Sequence, residues 1–181
     1  WVVIGLHAEL GRGITMNDDF KFFNERLLYE NETGFLFWKK TDLIASRIRG
    51  KKVGSNDGKG YLVFQVKKDG KKSMVKAHRV AWLLFYGAWP FDCIDHINGD
   101  RKDNRIGNLR NASFEGNSQN KRKAQENNKL GVLGVNIENG KFRAQIKIKG
   151  KKKTIGRYET IEEASKAYIN AKRELHSFCT I

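Results

Sequence analysis

The sequence predicts an α+β fold, on three observations. Near its end lie three short strand-like runs, 132–137, 141–149 and 152–158, broken by Asn139-Gly140 and Gly150-Lys151 and followed by one amphipathic helix. Earlier, an alternating run at 61–67 meets a second at 73–77 across Asp69-Gly70, and a helical pattern starts at His78. Between them, residues 92–125 are rich in Asp, Asn and Arg and poor in core residues, which suits a functional site. With 11 Phe, 5 Tyr and 4 Trp and a hydrophobic fraction of 39%, the chain can bury a core, which excludes a wholly disordered protein.

Residues 1–15 read as an extension outside the fold, because Met16-Asn17-Asp18-Asp19 looks like a start followed by a helix opening. The alternative, that they belong to the domain, stays open. Phe20, Phe23 and Leu27 then recur at helical spacing. A turn at 31–34 precedes the apolar strand Phe35-Leu36-Phe37-Trp38, and 39–59 reads as a loop. Leu62, Phe64 and Val66 share one strand face. The helix from His78 carries Val80, Ala81, Leu83, Leu84 and Phe85, and stops at Gly87 before Pro90, the one proline. In the last helix Thr160 and Glu163 form a capping box, and Ile161, Ala164, Tyr168, Ala171 and Leu175 form the apolar stripe. The polar run 121–129 reads as a linker. The expected division is 1–15 extension, 16–90 supporting region, 91–125 functional core and 126–181 a three-stranded antiparallel sheet packed on one helix.

Net charge is +15, and residues 121–157 hold 12 basic residues against Glu126 and Glu138, a net +10. Such an excess predicts a polyanionic partner, because each neutralised phosphate releases counterions. A solvated basic surface is the bland alternative. No run approaches the 18–20 apolar residues of a membrane helix, so no membrane partner is expected. Cys93 and Cys179 form no CxxC motif, which points to a reducing, cytoplasmic compartment and away from a cysteine-based zinc site. Cys93 reads as a strand-packing residue.

The segment FDCIDHINGDRKDNRIGNLRNASFEGNSQN holds one carboxylate beside one histidine, Asp95-His96, and the amides Asn108 and Asn117. Two readings fit the residues alone. Asn-Gly and Asp-Asn pairs are ordinary loop chemistry. Equally, phosphodiester hydrolysis needs a base near neutral pKa and a hard cation on oxygen ligands, which a histidine, an Asp and an Asn supply.

The runs AHRVAW, IDHINGDRKDNRIGNLR and EGNSQN resemble the HNH endonuclease family, in the subgroup common in phage and intron-borne homing endonucleases. YENETGFLFW and GYLVFQV resemble the lead-in region of phage members, so the likeness covers about 18–122. It implies the ββα-metal fold, with a hairpin and a helix around one divalent cation, magnesium first and manganese second, and no structural zinc. Position by position, it implies His96 as general base, Asp95 and Asn117 as metal ligands, and Asn108 as a brace of the hairpin loop that helps orient the histidine. Other members place histidine where Asn117 stands, a departure that weakens metal affinity. Asn120, one turn on from Asn117, is a possible supporting residue. So is His78, read first as structural, through a cap or a buried hydrogen bond. Arg105, Arg110, Lys121 and Arg122 are candidate phosphate contacts or solvated charges. His7 and His176 have no supporting context.

The stretch from Gly131 to His176 is similar to the APETALA/ERF-type DNA-binding domain, whose sheet lies in the major groove. One face of 141–149 offers Lys141, Arg143, Gln145, Lys147 and Lys149, and the other Phe142, Ala144, Ile146 and Ile148. Arg143 and Gln145 suit base readout, because both bond bidentately. Lys149, Lys151, Lys152, Lys153 and Arg157 suit phosphate anchoring.

The expected function is a metal-dependent DNA endonuclease, a phage homing enzyme acting on double-stranded DNA in the bacterial cytoplasm, as a monomer or a weak dimer. The rivals are a catalytically inactive DNA-binding regulator and an RNA-directed protein. Because base and ligands all precede residue 118, the nuclease unit is expected to stand without 126–181.

Overall fold

A computed structural model describes residues 18–125 and 127–181, so the readings of 1–15, Met16, Asn17 and Glu126 lie outside the described residues. The described residues form an α+β fold of four α-helices and ten strands, the strands arranged in four small antiparallel sheets.

Helix α1 (Asp18–Arg26) opens on Asp18 and Asp19 and closes on Arg26, charges that complement its dipole. Helical spacing carries this element to Leu27, but the chain turns instead into strand β1 (Leu27–Glu30). Pairing decides it: Leu27 sits opposite Trp38 of β2 (Phe35–Trp38), and Lys39 N–H donates to the Arg26 carbonyl at 2.9 Å. The hairpin turns at Gly34, whose φ is +74°. A Cβ there would lie 2.4 Å from the Arg105 backbone nitrogen, so only glycine lets this turn abut the loop that follows β6 below.

Residues 39–59 are less irregular than expected. They hold a 3-10 turn (Ser46–Ile48) and β3 (Ser55–Asn56), which joins β4 (Leu62–Lys68) and β5 (Lys71–Lys76). β5 runs straight into α2 (Ala77–Tyr86), closed by left-handed Gly87 with its N–H on the Leu83 carbonyl. Phe23, Leu27, Leu36, Val53, Phe64, Val66, Val80 and Leu83 form the first core.

Strand β6 (Cys93–His96) pairs with β7 (Leu109–Ala112), and α3 (Phe114–Gln119) follows, its N-cap Ser113 accepting from Gly116 N–H at 3.0 Å. This hairpin rests on α2 through Ala81, Ile94 and Leu109.

The remaining sheet is β8 (Val135–Glu138), β9 (Lys141–Ile148) and β10 (Lys151–Tyr158), in the order β10-β9-β8, with α4 (Ile161–Leu175) across it. Both arms of the Thr160–Glu163 capping box are made. Val135, Ala144, Ile146, Ala164 and Tyr168 form its core. Gly134 has φ +66°, and a Cβ there would strike the Tyr168 ring at 2.0 Å.

Lys121 and Asn128, in the run expected as a linker, are tied down rather than free. Lys172 of α4, 1% exposed, bonds the Lys121 carbonyl, and Asn128 Nδ2 donates to the Val132 carbonyl at 2.7 Å. After α4 the chain folds back against the β6–β7–α3 unit through Phe178 and Thr180.

Candidate active site and nucleic-acid interface

Adjacent strand residues face opposite ways, so Asp95 and His96 need the strand end to bring both to one place. β6 ends at His96, and both line one cleft of about 1250 Å³ with Asn117 of α3. Both are buried.

His96 Nε2 lies 3.2 Å from Asn104 Oδ1, an acceptor. The ring therefore donates through Nε2, and the neutral tautomer keeps its lone pair on Nδ1. Burial holds the His96 pKa below the ordinary histidine value, against the Asn104 bond and the charges of Asp95, Asp100 and Asp103. The ring is thus a free base at neutral pH. His78 meets it edge-on, centroids 5.1 Å apart, and Tyr61 lies 5.2 Å from His78 and 6.0 Å from His96. Burial, with His96, Lys76 and Arg79 adding to it, pushes His78 down to about 3. His78 caps nothing: the N-cap of α2 is Lys76, and His78 Nδ1 is buried with no hydrogen-bond partner. Its contribution is packing around the base.

A buried carboxylate requires charge and hydrogen-bond partners. Asp95 accepts from Arg110 Nε at 2.9 Å, lies 2.7 Å from a terminal Arg110 nitrogen, and accepts from Asn120 Nδ2 at 3.1 Å on both oxygens. Arg110 is therefore a partner of Asp95, opposite it in the β6–β7 register, and neither the free phosphate contact nor the solvated charge that the sequence left open. Asn108 braces the loop, accepting from Asn98 N–H at 2.9 Å and donating to the Asp103 carbonyl at 2.8 Å. The orientation of His96 falls to Asn104 instead.

Among the described residues no cluster of three or more His, Cys, Asp or Glu could hold a metal ion. Among the oxygen donors that line the cleft, which include Asn98, Asp100 and Asn120, are the Asp95 carboxylate and the Asn117 amide oxygen, the pair expected as ligands. Two oxygen donors beside open space fit a hard divalent cation that keeps waters and takes a substrate phosphate.

Residues 75–119 match the family model described as HNH endonuclease. This segment is similar to an HNH nuclease domain. The match spans Asp95, His96, Asn108 and Asn117. HNH nucleases generally use a divalent metal ion. A solved structure, described as DNA binding and cleavage by the HNH homing endonuclease I-HmuI, is similar at 22% identity and a TM-score of 0.42, over 78% of this chain and 76% of that one. The chain matches no curated protein sequence.

Cations rim the cleft: Arg101, Lys102, Lys121, Arg122 and Lys123. Arg101 and Lys102 carried no sequence signal beyond their charge. Arg105 is drawn off, since its guanidinium grips Asp103 at 2.6 and 2.8 Å. Arg122 donates to the Ile97 carbonyl at 3.1 Å while lining the cleft.

On the C-terminal sheet, opposite residues share a face. Lys152 pairs with Lys147, Thr154 with Gln145 and Arg157 with Arg143, which sets these six on the open face. Lys151 and Lys153 pair with Ile148 and Ile146, so the register puts them on the helix-side face, away from the proposed DNA contacts. Arg143 is not a free fork either. It bonds Glu138, which also accepts from Arg157 Nε at 2.8 Å. Lys141 pairs with Glu159 at 2.5 Å, and Lys149 occupies the β9–β10 turn at φ +47°. His176, without context in the sequence, is buried with Nε2 2.8 Å from the Lys147 carbonyl.

Asn104 and Tyr29 are positions at the site that residue patterns missed, whereas Asn120, expected as a supporting residue, does bond Asp95. Tyr29 Oη donates to the Asn104 carbonyl at 2.8 Å, so the N-terminal hairpin fixes the residue that fixes His96.

Proposed function

We propose that the protein is a metal-dependent endonuclease that hydrolyses phosphodiester bonds in double-stranded DNA, at sites chosen partly by its C-terminal sheet. One observation carries this: His96, Asp95 and Asn117 line a single cleft whose rim is cationic.

His96 accepts a proton from water through Nδ1, and the water attacks the scissile phosphorus in line. Asn104 holds the ring in the tautomer that makes Nδ1 the base. Asp95 and Asn117 would hold the cation, magnesium or manganese, which when bound would offset the charge that develops on the phosphoryl and leaving oxygens. The 3′ oxygen departs and takes a proton from solvent, which leaves 5′-phosphate and 3′-hydroxyl ends. Arg101, Lys102, Lys121, Arg122 and Lys123 draw the backbone into the cleft.

In this reading the open face of β9 and β10 reads DNA in the manner of an APETALA/ERF-type domain. Gln145, Lys147 and Lys152 contact DNA directly, and Arg143 and Arg157 do so once Glu138 releases them. The domain boundaries remain those of the sequence, 16–90, 91–125 and 126–181, with the work of a phage homing enzyme in the bacterial cytoplasm.

Supercoiled plasmid incubated with the protein and magnesium should be nicked, and excess EDTA should stop it. Structured RNA of equal length should compete weakly. Binding without any cleavage would favour the inactive regulator, and equal cleavage of RNA would shift the substrate class.

A further inference from the structure

We infer that Phe178 and Thr180 are positioning residues for the nuclease centre. They fix the two side chains, Arg110 and Asn120, that hold the Asp95 carboxylate. The inference rests on the reading of Asp95 as a cation ligand.

Asp95 takes its side-chain hydrogen bonds from Arg110 and Asn120. Each is gripped from behind by the segment after α4. Arg110 donates to the Phe178 carbonyl at 2.7 Å, and its guanidinium stacks 4.3 Å from the Phe178 ring centroid. Asn120 Oδ1 lies 2.5 Å from Thr180 Oγ1, and that hydroxyl is also 2.9 Å from the Ile97 carbonyl beside the site. The same Phe178 ring presses on α3 at Gly116, where a Cβ would stand 3.0 Å from it. Gly116 immediately precedes Asn117, so one aromatic ring touches the support of both proposed ligands.

The consequence contradicts the sequence expectation that the nuclease unit stands without 126–181. Although base and ligands precede residue 118, the groups that orient Asp95 are completed from residues 178–180. The C-terminal unit thus contributes to catalysis as well as affinity, because a ligand held by charge-assisted bonds keeps its geometry only while its partners keep theirs.

Full-length Thr180→Val, Thr180→Ser and Phe178→Ala variants provide the test. Three quantities are read: single-turnover cleavage at saturating DNA, DNA affinity, and hydrogen–deuterium exchange of 93–97 and 109–120. Thr180→Val and Phe178→Ala should lose about tenfold or more in rate, with faster exchange confined to those segments. Affinity should stay within twofold in Phe178→Ala, while Thr180→Val, which also loses the bond from Arg122 at 2.5 Å, is read on rate and exchange. Thr180→Ser, which keeps the hydroxyl, should restore the rate. Wild-type rate and exchange in both Thr180→Val and Phe178→Ala would overturn the inference, as would parallel loss of affinity and faster exchange throughout the chain. If the wild-type protein cut no DNA, the proposed function would fail, while the exchange data would still decide whether the clamp exists.

Discussion

Asn104 sets its side-chain oxygen 3.2 Å from Nε2 of His96, and its backbone oxygen accepts from Tyr29 at 2.8 Å. Asn104 is 1% exposed, so the ring it holds has no solvent alternative on that side. The proton on Nε2 leaves the Nδ1 lone pair free, as the proposed general base requires.

Asn104→Ala should therefore lower the cleavage rate about 10–100-fold, the range for a lost partner that orients a reacting group. DNA affinity should stay within a few-fold. A wild-type rate in single-turnover assays would show that His96 is oriented by something else.

Strand register separates two neighbouring lysines. Lys152 shares the open face with Lys147, and Lys153 lies opposite Ile146. Lys152→Ala should reduce the slope of log K against log salt by about 0.9, the value for one phosphate contact. Lys153→Ala should change it much less. Equal slopes in the two variants would refute the assignment of faces.

Glu138 accepts from both Arg143 and Arg157. Glu138→Gln removes a carboxylate that competes with phosphate for two guanidinium groups, so DNA binding should tighten several-fold and depend more steeply on salt. Titration of labelled duplex at two salt concentrations checks this. Weaker binding would mean that Glu138 organises the arginines for contact instead of sequestering them.

His78 is held neutral to about pH 3 by burial, with Lys76, Arg79 and His96 charges opposing its protonation and the Tyr61 ring packed on it. Its unfolded value is near 6.5. Between pH 6.5 and 3 the unfolded chain binds a proton that the folded chain does not, so stability falls as pH falls, by up to about 1.4 kcal/mol per unit. Urea midpoints at pH 7 and 5 should show the loss. His78→Phe should flatten the slope, leaving a remnant from His96, which burial shifts the same way.

Helix α4 was legible because a capping box and an apolar stripe are local signals. The Asp95–His96 centre was expected from the likeness of the whole run to HNH endonucleases, since the residues alone fit an ordinary loop as well. Leu27 misled because it fits the helical spacing of Phe20 and Phe23, while its pairing with Trp38 is a long-range fact. No residue pattern distinguishes Asn104 from Asn108 as the partner of His96, since the path of the β6–β7 loop decides which amide faces the ring. Arg105 and Arg110 looked like phosphate contacts, and Arg143 like a base reader, because sequence counts charges without showing the carboxylates that claim them.

The most direct test of the nuclease assignment is single-turnover cleavage of duplex DNA by His96→Ala beside wild type, with affinity measured on the same preparations. The variant should lose about 10²–10⁴-fold in rate, the worth of a general base, while its affinity stays within a few-fold. Cleavage near the wild-type rate would contradict the account.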